Sequence, residues 1–121
     1  MAFEKAFFEA GGLLAAGVDP TGVGGALAGF GDQRNYELLL EAGFTPTQVV
    51  QIMTSNGAKV LGVGDRLGTV TPGKLADLVV LHGDLTANPL VIREVTTVFK
   101  DGVGYDSAKL IAAVKGRVGI D

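Results

Sequence analysis

The feature that most constrains the fold is a helix-like segment followed within three residues by an apolar run that ends in an acid. Residues 1–10 place apolar side chains three and four positions apart, which predicts a short helix that Gly11 ends. The apolar face of this expected helix comprises Phe3, Ala6, Phe7 and Ala10. The continuous apolar run Leu13–Val18 predicts a buried strand, and Asp19 follows it directly. A helix followed closely by a strand is half of an α/β unit, so we expect the chain to begin inside a larger repeating architecture.

Asp19 has two interpretations that the local sequence leaves open. In open α/β sheets and α/β barrels, ligands gather at the carboxyl ends of the strands, where a catalytic or metal-binding acid is expected. The tetrapeptide Asp-Pro-Thr-Gly, residues 19–22, is also typical of an ordinary type I turn. Turn chemistry explains it without any ligand.

Length and composition limit the class of protein. A chain of 121 residues is one domain's worth and falls well short of the roughly 250 residues of a complete (β/α)₈ barrel. Hydrophobic residues make up 47% and charged residues 19%, which indicates a globular chain with a sticky face or a partner. The net charge of −3 and the scattered Lys and Arg argue against nucleic-acid binding.

The absence of cysteine excludes disulfides and thiolate metal sites. The N-terminus carries no secretory signal pattern, and no apolar run approaches the roughly 20 residues of a membrane span, so we expect a soluble, cytoplasmic protein. His82 is the only histidine and stands beside a turn. A nitrogen-ligated metal site draws on two or three histidines, so any metal would need ligands from elsewhere.

Residues 22–31 form a glycine-rich stretch that invites comparison with phosphate-binding loops. The Walker A ending is absent, and the GxGxxG template fails because Leu27 stands where glycine is required. We therefore expect a loop over the mouth of a site.

Helical spacing dominates the next part of the chain. Asp32 is expected to cap a helix that buries Tyr36, Leu39 and Leu40 and ends at Gly43. The stretch Thr45-Pro46-Thr47-Gln48 predicts a capping box, and the helix that follows, to about Met53, is expected to bury Val49, Val50 and Met53. A short helix from Ser55 or Asn56 to about Leu61 completes the pair.

The pattern changes near Gly64 from helical periods to short β-rich runs, which divides the chain into units at 1–63 and 64–121. Residues 68–70 and 76–81 are such runs. Leu78–Leu81 is expected to be a strand covered on both faces, and Val95–Lys100 its partner. The Asp101-Gly102 pair predicts a hairpin turn, and a final helix from Ala108 is expected to be capped by Asp106 or Ser107, with an apolar stripe that must dock on something. That stripe comprises Leu110, Ile111 and Val114.

The run Asp65–Leu81, DRLGTVTPGKLADLVVL, resembles the carboxyl-terminal signature of the amidohydrolase superfamily. Thr54–Gly62 is similar to the last helix of those enzymes, and Val98–Gly102 to their closing hairpin. The resemblance is to the imidazolonepropionase-like and prolidase-like branches, and it covers essentially all of the chain.

The resemblance implies an α/β fold, in which the last helix-strand-helix units of a metal-dependent (β/α)₈ barrel join part of a small β-sandwich. In that family the acid that ends the eighth strand binds metal and handles the proton of the attacking water. Asp19 matches that position, so it is implied to be both the catalytic acid and a ligand of a divalent metal, zinc by preference. The substrate implied for the complete enzyme is a small molecule with an amide, cyclic amide or dipeptide bond.

The chain departs from the family because the histidine pair of the first strand, the later histidines and the lysine have no counterpart. It therefore resembles the last part of such an enzyme, and we expect it to be inactive and metal-free alone, with a missing barrel portion or a second copy as partner. The alternative is a non-enzymatic association module that pairs with itself or with a barrel-forming chain. A small-molecule binding domain that uses the glycine-rich stretch is a third hypothesis.

Overall fold

A computed structural model describes residues 1–19 and 29–117. It contains five α-helices, one 3₁₀ helix and a three-stranded sheet. In chain order these are α1 (Ala2–Glu9), α2 (Gly31–Glu41), α3 (Pro46–Met53), α4 (Ser55–Val60), β1 (Leu78–Leu81), the 3₁₀ helix (Pro89–Arg93), β2 (Val95–Lys100), β3 (Val103–Asp106) and α5 (Ser107–Val114). The described residues include no helix long and apolar enough to cross a membrane. The predicted α/β class is confirmed in the sense that the described residues combine helices with a small sheet.

Helix α1 turns a different side to the core from the one that the sequence predicts. Phe3 is 78% exposed and Phe7 44% exposed, and their rings stack on each other at the surface. Phe8 packs inward instead, edge-on against Phe44 with 5.5 Å between the ring centroids. Phe7 and Phe8 project about 100° apart around the helix, so one apolar run offers two faces. Contact with Phe44 selects the second.

The expected strand over Leu13–Val18 is wrong for the described residues, which show no strand there. A strand exists only when its backbone groups pair with a neighbouring strand, and the described residues supply none beside this segment. Leu14 and Ala16 nevertheless pack against the core. The segment is therefore docked through side chains.

Helix α2 begins two residues earlier than predicted, with Phe30 at the N-cap position and no side-chain cap. The expectation that Asp32 caps this helix is therefore wrong. Asp32 lies in the first turn, where a negative charge still favours the helix amino terminus. Tyr36 and Leu39 are buried as predicted, and Gly43 follows the helix with a φ of +90°.

Helix α3 confirms the predicted capping box. The backbone N–H of Gln48 donates to Thr45 Oγ1 at 3.3 Å, and the backbone N–H of Thr45 donates to Gln48 Oε1 at 2.9 Å. The buried positions are Val49 and Ile52, whereas Val50 is 41% exposed, contrary to expectation. Residues three apart share a helix face, and Ile52 lies three positions after Val49.

One apolar cluster joins these helices. Its buried members are Tyr36, Leu39, Phe44, Val49 and Ile52. Partly buried side chains from α1, the Leu13–Val18 segment and the 3₁₀ helix pack around it, among them Phe8, Leu14 and Ile92. The core therefore lies in the helical part of the chain.

The sheet is antiparallel with strand order β1-β2-β3, as the pairing of Leu78–Leu81 with Val95–Lys100 predicted. Val98 of β2 lies opposite Val79 of β1 and Tyr105 of β3. The hairpin prediction is confirmed, because Asp101 and Gly102 have φ values of 50° and 79°, the left-handed region that tight hairpin turns require.

Two expectations for this part of the chain are wrong. Strand β1 is not covered on both faces, since Val79 is 61% exposed and Val80 is 43% exposed. A continuous apolar run does not reveal how many layers cover it, and here β1 is the edge of a single sheet within the described residues. Residues 68–70 form no strand either. Helix α5 begins as expected, with Asp106 accepting a hydrogen bond from the backbone N–H of Lys109.

Candidate functional site

Asp19, the candidate catalytic and metal-binding residue, lies at the carboxyl end of the Leu13–Val18 segment and is exposed. Its φ is 41°, which places it in the left-handed region. This conformation costs an L-residue about 1–2 kcal/mol, although aspartate tolerates it better than most. The rest of the expected turn, residues 20–22, lies outside the described residues, so the turn interpretation stays a prediction.

Two asparagine side chains hold the segment that leads to Asp19. Asn56 of α4 is 2% exposed, and its Nδ2 donates to the backbone oxygen of Leu14 at 2.8 Å. Asn35 of α2 donates from Nδ2 to the backbone oxygen of Gly17 at 3.2 Å. These bonds connect residues 42 and 18 positions apart in sequence. Side-chain amides thus link this segment to two helices.

A groove of about 880 Å³ lies between the helices and the sheet. Its walls include Tyr36 and Gln51 on the helical side and Leu78 and Val98 on the sheet side. The Tyr36 hydroxyl is buried and has no hydrogen-bond partner among the described residues, and burial raises its pKa. Asp19 does not line this groove.

Asp77 also lines the groove, but its carboxylate is hydrogen-bonded to residues of the sheet and its hairpin turn. Its Oδ2 accepts from Lys100 Nζ at 2.5 Å and its Oδ1 accepts from the backbone N–H of Asp101 at 2.7 Å. The ion pair with Lys100 holds the pKa of Asp77 below its usual range. The bonds join the residue before β1 to the hairpin turn, so we assign Asp77 a structural role.

Glu37 connects the two parts of the chain. One carboxylate oxygen accepts from Arg93 Nε at 2.7 Å, and the other accepts from Arg34 Nη1 at 3.0 Å. These guanidinium groups, Arg93 first, lower the pKa of Glu37. Arg34 lies on α2 with Glu37, whereas Arg93 belongs to the 3₁₀ helix, so the Arg93 contact links the 3₁₀ helix to α2.

The donors present do not by themselves fit a complete metal centre. Among residues 1–19 and 29–117, no group of three His, Cys, Asp or Glu side chains lies close enough to hold a metal ion. His82 is exposed in the turn after β1, as predicted, and its backbone N–H donates to the oxygen of Glu94 at 2.8 Å. Asp19 could supply one carboxylate, and further ligands would have to come from other residues.

The glycine-rich stretch falls mostly outside the described residues, which omit 20–28. The failed phosphate templates and the expected loop over a site therefore stay sequence-based predictions. The sequence did not predict that Asn35 and Asn56 donate hydrogen bonds to the segment before Asp19. A usable signal existed for Asn56, because an amide between the buried positions of adjacent short helices needs a hydrogen-bond partner.

A family model described as "Amidohydrolase family" matches residues 9–105, which is most of the chain. The chain belongs to the amidohydrolase family. This membership confirms the resemblance carried by Asp65–Leu81. Among curated proteins, none matches this sequence.

Solved structures agree with the family. A Xaa-Pro dipeptidase with methionine bound in its active site is 30% identical to this amidohydrolase chain, with a TM-score of 0.74 over 87% of the chain. A putative prolidase from Bifidobacterium longum is 28% identical, with a TM-score of 0.73 over 84%. An amidohydrolase from Thermotoga maritima MSB8 is 28% identical, with a TM-score of 0.70 over 87%. The chain spans about a quarter of the length of these structures, from 25% to 26%.

Proposed function

We propose that this chain forms the Asp19-bearing part of a metal-dependent hydrolase that cleaves carbon–nitrogen bonds in amides, cyclic amides or dipeptides. The observation that carries the proposal is the family match over residues 9–105, which includes Asp19 at the end of a segment docked on α2 and α4. The names of the Xaa-Pro dipeptidase and the putative prolidase favour a dipeptide within this substrate class.

In this proposal Asp19 acts on protons. A carboxylate near an attacking water can accept the proton of that water and pass it to the leaving nitrogen, which would otherwise depart as a poor anionic leaving group. Exposure of Asp19 and its place at the end of a docked segment suit a group that must reach solvent and substrate. The proposal includes a divalent cation, zinc by preference. Asp19 would be one of its ligands, and residues outside the described part of this chain would supply the others.

A chimera tests the role of Asp19. Residues 9–105 replace the matching quarter of the Xaa-Pro dipeptidase, and hydrolysis of a Xaa-Pro dipeptide is measured. We expect the chimera to be active and Asp19→Asn to lower kcat about 100-fold or more, because general acid–base groups contribute at least that much. Asp65→Asn, which changes another exposed carboxylate, is the matched control and should leave kcat unchanged. Full activity of the Asp19→Asn chimera would contradict the proposal.

The isolated chain is expected to hydrolyse no amide and to bind no stoichiometric metal. Elemental analysis and a dipeptidase assay on the purified 121-residue chain check this. A tightly bound metal together with measurable hydrolysis would refute the expected inactivity.

A second candidate function, association without catalysis, is favoured by exposed apolar side chains at both ends of the described chain. Phe3 of α1 is 78% exposed, and Ile111 and Val114 of α5 are 56% and 61% exposed. Such faces favour a partner, either a second copy or a barrel-forming chain. Light scattering over a wide concentration range distinguishes the cases, because a clean monomer throughout would remove the basis for self-association.

A further inference from the structure

Side-chain hydrogen bonds hold the backbone of the Leu13–Val18 segment, which leads to Asp19. Strand pairing normally fixes such a segment, but the described residues place no strand beside it. Two long-range hydrogen bonds reach it from Asn35 and Asn56, which donate to the oxygens of Gly17 and Leu14 respectively. The first of these oxygens lies two residues before Asp19 and the second lies five before it. Both contacts therefore act on the short stretch that sets the direction of Asp19.

Burial and a second hydrogen bond fix the orientation of the Asn56 side-chain amide. Asn56 is 2% exposed, and close packing around a buried side chain limits the rotamers it can adopt. Its Oδ1 accepts from Gln51 Nε2 at 3.4 Å, which orients the amide so that Nδ2 faces Leu14. Loss of a buried partner would leave the Leu14 oxygen short of a donor, which costs about 1–3 kcal/mol.

The Asn35 contact acts nearest to the strained residue. Gly17 carries no side chain, and a Cβ there would meet nothing within 4 Å, so a hydrogen bond rather than packing holds this carbonyl. The same carbonyl group fixes the plane of the peptide bond that leads to Val18, one residue before Asp19. A fixed peptide plane helps to keep Asp19 at its φ of 41°, a conformation that persists only when its surroundings enforce it.

We propose that Asn35 and Asn56 are positioning residues for Asp19, which hold the Leu14 and Gly17 carbonyls against α4 and α2 and so fix the backbone conformation of the acid. This inference rests on the proposed role of Asp19 for its functional meaning. The positioning itself is a property of the chain and can be measured without any activity.

Nuclear magnetic resonance of the isotope-labelled 121-residue chain provides the test. Asn35→Ala and Asn56→Leu each remove one amide donor, and Asn88→Ala is the matched control, since the Asn88 side chain instead accepts from the backbone N–H of Leu90. In both test variants we expect the Cα and Cβ shifts of Asp19 to leave their left-handed values and its amide order parameter to fall from about 0.85 towards 0.6. Resonances of Ile52 should stay in place in Asn35→Ala, and the control should leave Asp19 unchanged.

Unchanged shifts and order parameter of Asp19 in Asn35→Ala would overturn the inference. That variant decides alone if Asn56→Leu fails to fold, because the Asn35 contact is exposed and its loss leaves the core intact. A change at Asp19 in the Asn88→Ala control would overturn it equally, since the effect would then be a general loosening.

The dipeptidase chimera supplies a second readout. Asn35→Ala is expected to lower kcat about tenfold with KM within about twofold, as removal of a residue that orients a catalytic group does. An altered Asp19 conformation in a chimera that tolerates Asp19→Asn would disprove the proposed function and leave the positioning correct. A normal Asp19 conformation together with a strong Asp19→Asn effect would do the reverse.

Discussion

Helices α2 to α4 and the sheet region, residues 78–117, bury very different shares of their apolar side chains. Six of the seven buried apolar residues in the described chain belong to residues 36–58, and only Val91 lies in the sheet region. Strand β3 and helix α5 have no buried residue. The helical region thus carries its own core, whereas the sheet region is held by backbone pairing and a few contacts.

The difference shows which part of the chain contributes most of the buried apolar surface. Apolar burial is the main source of folding free energy, so the helical region accounts for most of the stability that the described residues provide. Val79, Val103 and Ile111 of the sheet region stay more than half exposed, and they are part of the surface that the proposed association would cover. The Asp19 segment is attached to the stable region.

Truncation of one isoleucine in each region should show the largest difference between the helical region and the sheet region. Ile52→Ala should lower the free energy of unfolding by about 4 kcal/mol, because Ile52 is 0% exposed and its loss leaves a cavity. Ile111→Ala removes the same group from the 56% exposed position on α5 and should change it by less than about 0.5 kcal/mol. Urea unfolding followed by circular dichroism gives both values. Equal losses would contradict the contrast.

The next prediction concerns Gly68, which lies close to Ala58 of α4 where the chain leaves the helical region. A Cβ there would lie 2.6 Å from the Cβ of Ala58 in α4, and its φ is +87°. Gly68→Ala should therefore cost about 3 kcal/mol through overpacking and backbone strain. Gly73→Ala is the matched control, with a φ of +91° and nothing within 4 Å, and should cost about 1 kcal/mol from strain alone. Similar midpoints in urea for the two variants would refute the close contact.

The helix caps test whether loss of structure stays local. Thr45→Ala removes half of the capping box of α3 and should cost about 1 kcal/mol of global stability. Asp106→Ala removes the cap of α5, whose unfolding exposes little buried surface, and should speed amide exchange in α5 while the urea midpoint stays in place. A shift of the global midpoint by Asp106→Ala would show that α5 is part of the cooperative core.

The smallest expected effect concerns pH. Contacts with Arg93 and Arg34 lower the pKa of Glu37 in the folded state, so its stabilisation is present above the ordinary glutamate pKa of 4.5 and is lost as the pH falls through the lowered value. Glu37→Gln should flatten this part of the stability profile in urea titrations between pH 3 and 6. An unchanged acid profile would show that the link between α2 and the 3₁₀ helix carries no net energy.

Several helices and turns follow from local sequence. The Thr45 capping box, the helix Pro46–Met53 and the turn at Asp101-Gly102 are set by interactions between residues within three or four positions of each other, which a reader of the sequence sees directly. The run Asp65–Leu81 is local in the same sense, and it carried the resemblance that the family match over residues 9–105 confirmed.

Tertiary structure decided what the sequence left ambiguous. Which side of α1 meets the core depends on Phe44, thirty-six positions after Phe8, and the exposure of β1 depends on layers that no apolar run reveals. The attachment of the Asp19 segment depends on Asn35 and Asn56. In the sequence, nothing distinguishes these two asparagines from other polar residues of a helix. Local interactions fix turns and helices, whereas contacts between distant residues depend on where the folded backbone brings them together.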